Sequence, residues 1–179
     1  MKTTIQALRF LIVLTLLTGV VYPVAVTVLS KVLFAKQANG SLITADGKTI
    51  GSELLAQKFA DPKYFWPRPS GADYATVASG ATNKGPTSAD LVKAISERRE
   101  KLGQDAPADL LTASASGLDP HLSPAAAHFQ IARIATARSL SAQAVAALVE
   151  SKTEAPQLGI FGESRVNVLA LNRALDALK

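Results

Sequence analysis

No cysteine occurs anywhere in the 179 residues, so the chain can form no disulfide, thiolate zinc site, redox pair or thiol nucleophile. Histidine is nearly absent too: His121 and His128 stand apart, without a neighbouring carboxylate cluster that would suggest a metal site. Acidic residues are missing from the whole amino-terminal quarter, the first being Asp46. From residue 37 onward, 15 Lys/Arg face 14 Asp/Glu, so this part carries only +1 of the formal +5. The remaining +4 sits on Lys2, Arg9, Lys31 and Lys36. Basicity confined to those positions is a membrane-flank pattern, and it excludes a polyanion-binding face and nucleic acid as a partner.

What those four cations flank is the longest apolar run. Phe10 to Ser30 contains no charged side chain, and its polar members are Thr, Ser and Tyr. Twenty-one residues at about 1.5 Å each reach roughly 30 Å, the hydrocarbon thickness of a bilayer. A helix alone satisfies its own backbone there. The run exceeds a signal-peptide core, and Leu33 to Ala38 offers no Ala-x-Ala-like cleavage site, so a retained transmembrane helix is expected. Pro23 predicts a kink between Gly19 and Pro23. Two basic residues on each side leave orientation nearly tied. The expected layout is an amino terminus at 1–9, a transmembrane helix at 10–30, a connector at 31–40 and one globular domain at 41–179. With 143 residues beyond position 36, that domain is large enough for its own core.

Its pattern reads as α+β, a short β-hairpin region followed by about four to five helices. Ala45-Asp46-Gly47 between two short apolar runs signals the hairpin. Gly51-Ser52 opens an expected short helix at 53–59. A helix at 88–102 starts at a capping-box-like Thr87/Asp90 and stops at Gly103. Ser123-Pro124 starts a helix expected to run through 125–138, and Ser141 caps another to about residue 151. The last helix begins near Val166 and spaces Val168, Leu171, Leu175 and Leu178 at three and four; Asn167 and Asn172 are expected to make local hydrogen bonds.

Three stretches invite chemistry. Asp61 to Tyr74 gathers Tyr64, Phe65, Trp66 and Tyr74 among Pro62, Pro67 and Pro69, which hold it extended. It is either an aromatic plug of the core or a rigid partner-contact surface built on Tyr64, Phe65, Trp66 and Arg68. In Ser79 to Thr87, Gly80 and Gly85 have Walker-A spacing, but Pro86 replaces the essential lysine and removes an N–H donor, so that reading fails. Ser114 to Pro124 places Ser116 near His121, yet there is no Gly-x-Ser-x-Gly elbow, and one short segment rarely supplies both nucleophile and base. A turn is the simpler reading.

Taken in order, the span, Tyr64-Phe-Trp-Pro-Arg-Pro-Ser70, Ser79-Gly-Ala-Thr-Asn-Lys-Gly-Pro86, Ser114-Ala-Ser-Gly-Leu-Asp-Pro-His121 and Arg165-Val-Asn-Val-Leu-Ala-Leu-Asn172 resemble one family over essentially the whole chain. It is the C subunit of the Kdp-type potassium-transporting ATPase, the KdpC family. Pro67, where the family usually has Gly, and Ala81-Thr82, where it tends to Gly-Ser, depart from its pattern. The resemblance implies a non-catalytic accessory subunit of the bacterial inner membrane, amino terminus cytoplasmic and soluble domain periplasmic. Implied partners are the potassium-translocating A subunit, the P-type ATPase B subunit and the small F subunit, which handle ATP and potassium; no cofactor is expected on this chain. The family is described as needed for assembly and as a catalytic chaperone that raises ATP affinity. Its glycine loop has been compared with the ATP-binding-cassette signature, a role that would fall on Ser79, Gly80 and Asn83. Gly19 and Pro23 would let the span dock against partner helices. Alternatives from other classes are a membrane-tethered periplasmic hydrolase using Ser116 and His121, and a stand-alone anchored binding module.

Overall fold

The computed structural model describes residues 2–45 and 47–178 and divides into two units, Met1–Ile50 and Gly51–Lys179. In the first, α1 (Lys2–Leu16), a π-helical turn (Leu17–Val21) and α2 (Tyr22–Leu33) form one helix, longer at both ends than the apolar run. None of the apolar window is buried, and the helix is long and apolar enough to cross a membrane. The widened turn lies where proline predicts a disturbance: Pro23 has no N–H to donate, and the Tyr22 N–H reaches back to the Leu17 carbonyl. Thr18 and Thr27 return their hydroxyls to the Leu14 and Pro23 carbonyls at 2.7 Å, so neither needs water. Phe34 leaves helical geometry, the short α3 (Ala35–Ala38) follows, and β1 (Leu42–Ala45) pairs with β2 (Lys48–Ser52). Gly47 takes φ +74° in the intervening turn; Asp46, the other half of the expected Asp-Gly signal, lies outside the described residues.

The second unit carries α4 (Ala89–Leu102), α5 (Ala108–Leu111), β3 (His121–Leu122), α6 (Pro124–Phe129), α7 (Ile131–Arg138), α8 (Ala142–Ser151), β4 (Thr153–Glu154), β5 (Arg165–Asn167) and α9 (Val168–Asp176). β5 is the centre of a small antiparallel sheet, His121 opposite Asn167 on one side and Thr153 opposite Val166 on the other. The core lies between the sheet and α6–α9, with Phe65, Leu122, Ile134, Val145, Leu171 and Leu175 fully enclosed. Ser123 and Ser141 cap as read, accepting the Ala126 and Ala144 N–H groups.

Three expectations give way. No helix forms at 53–59: Ser52 closes a turn by accepting the Leu54 N–H, and the Ala56 N–H bonds the distant Leu118 carbonyl. The capping box at Thr87 is absent; Ser88 holds the cap position without a side-chain bond, and Asp90 pairs with Lys84 at 3.1 Å. The expected 125–138 helix breaks at Gln130, giving six helices rather than four or five among the described residues of this unit. Gln130 causes the break: its own Nε2 donates to the Ala126 carbonyl, the acceptor its backbone N–H would use in a continuous helix. That N–H turns to Ala127 instead.

Candidate functional site

The proline-held stretch 61–71 belongs to no strand, so nothing periodic satisfies its backbone. Side chains do so one by one. Asn172, buried on α9, accepts the Phe65 N–H at 2.8 Å and donates to the Phe65 carbonyl at 3.0 Å. Gln130, buried between α6 and α7, does the same for Trp66 at 2.8 and 3.1 Å. Each amide thus stands in for one residue of a neighbouring strand. Arg133 donates to the Pro62 and Tyr64 carbonyls and to Gln130 Oε1, and its guanidinium stacks 3.7 Å from the Trp66 ring centre. Burial lowers the Arg133 pKa to about 10, still well above neutrality, so the cation persists. Arg138 takes the Lys63 carbonyl and pairs with Asp176, to which the Tyr64 hydroxyl also bonds.

The other motif stretches close on the far end of this loop. Arg68 pairs with Asp119 at 2.9 Å, the Ser114 N–H bonds the Pro69 carbonyl, and the Tyr74 hydroxyl donates to the Arg68 carbonyl. Burial pushes the Tyr74 hydroxyl up to about 12, helped by the charge of Asp73, so it stays a donor. Gly117 sits at φ +70° with the Gly80 carbonyl only 3.0 Å from where a Cβ would be. The sequences 64–71, 79–83, 114–121 and 165–172 therefore form one network, completed by the Val168 N–H on the Pro120 carbonyl.

Tyr64, Trp66 and Arg68 are half-buried within this network, whereas Phe65 is fully enclosed and has no surface to offer a partner. The core wins that ring because the two amides hold its backbone facing α9. Gly19 lies in the π-helical turn with open space where a side chain would be, and Pro23 opens α2. Ser79 and Asn83 are exposed, and Asn83 takes φ +54°; only Gly80 is drawn in, through its backbone. Ser116 and His121 are not brought together: the Ser116 hydroxyl accepts the Leu118 N–H, while the His121 N–H and ring lie against Asp119. A cavity of about 180 Å³ beside His121 is lined by Arg68, Asp109, Asp119, Glu163 and Arg165, three carboxylates to two guanidiniums, with Arg68 already paired to Asp119.

Sequence reading missed Gln130, Arg133 and Asn172. Their signal was an amide or guanidinium on the buried stripe of a helix, with an extended, proline-rich segment elsewhere needing partners.

His121 yields a prediction. Burial, then the charge of Arg165, depress its pKa below the ordinary 6.5, against the pull of Asp119 and Glu154. The unfolded chain then binds more protons than the folded one, so stability rises with pH through the window just below 6.5. Urea midpoints of the full chain, followed by the single tryptophan, should rise from pH 5 to 7.5, with a shallower rise for His121→Gln. An identical rise in both would remove His121 as its source.

The family described as KdpC, the c chain of K+-transporting ATPases, matches residues 4–177. The chain is 55% identical to the potassium-transporting ATPase KdpC subunit of Methylococcus capsulatus, over 97% of this chain and 96% of the relative. The subunits of the same name from Dechloromonas aromatica and Polaromonas naphthalenivorans are 50% and 53% identical, covering 99% and 97% of this chain and 99% and 93% of theirs.

Proposed function

The chain belongs to the KdpC family, accessory subunits of a potassium pump, and from that premise we propose that it holds and tunes the pump without doing chemistry. The observation that carries this is the extent of the match: residues 4–177 take in both the apolar helix and the folded unit, so anchor and domain act together as one subunit. In this reading the helix crosses the bacterial inner membrane once, amino terminus in the cytoplasm, and the second unit lies in the periplasm. Its partners are the channel-like A subunit, the P-type ATPase B subunit and the small F subunit. Gly19 and Pro23 mark where partner helices approach, since the missing side chain and the widened turn leave space there. Tyr64, Trp66 and Arg68 contribute the exposed parts of a contact surface whose shape Asn172 and Gln130 hold fixed.

A periplasmic unit cannot touch nucleotide in the cytoplasm, so any rise in ATP affinity passes through the membrane as coupling between conformations. For Ser79, Gly80 and Asn83 we accordingly propose a supporting part rather than nucleotide contact: the Gly80 backbone is committed to Gly71 and Gly117. The hydrolase alternative has no hydrogen bond between Ser116 and His121 on which to build.

Co-expression with the other pump subunits tests the reading. The chain is expected to purify with them in mild detergent, and potassium-stimulated ATP hydrolysis to need it. A chain that elutes alone as a stable monomer, with hydrolysis unchanged by its removal, would sink the proposal.

A further inference from the structure

Residues 155–162 read Ala-Pro-Gln-Leu-Gly-Ile-Phe-Gly, with no charge among them. They fold into a tight turn. Gln157 and Phe161 exchange both backbone hydrogen bonds at 2.9 Å, and the Gly159 and Ile160 N–H groups bond the Pro156 and Gln157 carbonyls. Leu158 and Gly159 sit at φ +54° and +77°. The left-handed region is natural for Gly159 but strained for Leu158, where glycine or asparagine would fit better. Side-chain packing among the described residues does not offset this, because Leu158 is 89% exposed, Ile160 76% and Phe161 61%. The turn is a rigid knob presenting three large apolar side chains to the outside.

Its surroundings decide what it fits. The knob has no lysine or arginine between Lys152 and Arg165, and the acids Glu154 and Glu163 stand at its two ends. Glu154 is paired with Arg165 at 3.0 Å, whereas Glu163 has no ion pair among the described residues. A lipid surface is usually met by apolar residues flanked by cations, or by Trp and Tyr. An apolar tip edged by Glu163, with Glu154 already neutralised by Arg165, instead complements a protein pocket bordered by Lys or Arg.

We propose that this knob, Leu158, Ile160 and Phe161, docks into an apolar pocket with a basic rim on another subunit of the pump, and that Glu163 steers it there. The inference rests on the subunit reading above and adds a second contact, on a segment that the motif network does not contain. The strain at Leu158 is retained because the side chain is required at the tip.

The test titrates the full chain, in detergent, onto the other pump subunits purified in its absence. The double variant Leu158→Asn/Phe161→Ser should bind roughly tenfold or more weakly, as for the loss of apolar anchors at an interface centre. Its urea midpoint should equal or exceed the parent's, since asparagine relieves the strained φ. Glu163→Lys should slow association and flatten its dependence on salt. Equal binding by parent and double variant would overturn the knob while leaving the subunit reading intact; no binding by the parent would remove both. The cysteine-free chain also permits one environment-sensitive dye at Leu158→Cys. A blue shift appearing only when the other subunits are added supports the proposal. The same shift in lipid nanodiscs holding the chain alone would overturn it in favour of the membrane.

Discussion

Replacing Asn172 with leucine is expected to remove about 2–5 kcal/mol from the unfolding free energy of the second unit. The substitution keeps the branched shape and the number of heavy atoms but deletes an acceptor and a donor that meet the Phe65 N–H and carbonyl at 2.8 and 3.0 Å. Both backbone groups are enclosed beside a fully buried ring, and each unsatisfied buried polar group costs about 1–3 kcal/mol. Against a typical total of about 5–15 kcal/mol, such a loss is large. The urea midpoint of the full chain should fall accordingly. Trp66, the next residue, should report it even before unfolding, its emission shifting to the red as the 61–69 loop loosens from Gln130 and Arg133. Asn167→Ala is the comparison: Asn167 caps α9 by accepting the Ala170 N–H and donates to the Glu53 carbonyl, and its loss should cost about 1 kcal/mol. A midpoint for Asn172→Leu close to the parent's would show that water or a loop shift replaces the amide.

The second large effect is at Gly117. Alanine there must occupy φ +70°, costing about 1–2 kcal/mol, and its methyl would sit 3.0 Å from the Gly80 carbonyl oxygen and 3.3 Å from Ser70 Oγ. The carbonyl is backbone and can yield only by moving the 79–83 loop, so the combined cost should reach about 2–3 kcal/mol. Gly80→Ala, in the same contact but with open space at its own Cβ, should stay within about 0.5 kcal/mol of the parent. The pair separates two meanings of a glycine-rich motif. If Gly80→Ala proves the more damaging, the loop needs glycine for a ligand or partner rather than for packing, and the supporting part assigned to it fails.

These two sites also mark where reading the sequence stopped being enough. Serine followed by proline at 123–124 specified its cap because donor and acceptor lie within three residues. Ser141 did likewise. The apolar helix needed only composition, and Pro23 its missing N–H, to place the widened turn. By contrast, Asn172 lies 107 residues from its partner Phe65, and Gln130 lies 64 from Trp66. Periodicity shows such amides only as polar intruders on a buried stripe. The expectation of local hydrogen bonds held for Asn167 at its cap and failed for Asn172, whose neighbours along α9 are satisfied by the helix itself.

The amino-acid sequence alone determined the long apolar helix, the α+β class of the folded unit, most helix starts and, through four ordered motifs, the family. Each depends on neighbours within a turn or two, or on motif order, and both can be read along the chain. Only the tertiary structure decided that 125–138 breaks at Gln130, that 53–59 is not helical, and that Phe65 is core while Trp66 reaches the surface. It alone also showed that Leu158, Ile160 and Phe161 stand exposed on a strained turn. The physical reason is the same in each case. A backbone without regular partners must be satisfied by whatever side chain the fold brings to it, and an apolar side chain is buried only if something arrives to cover it.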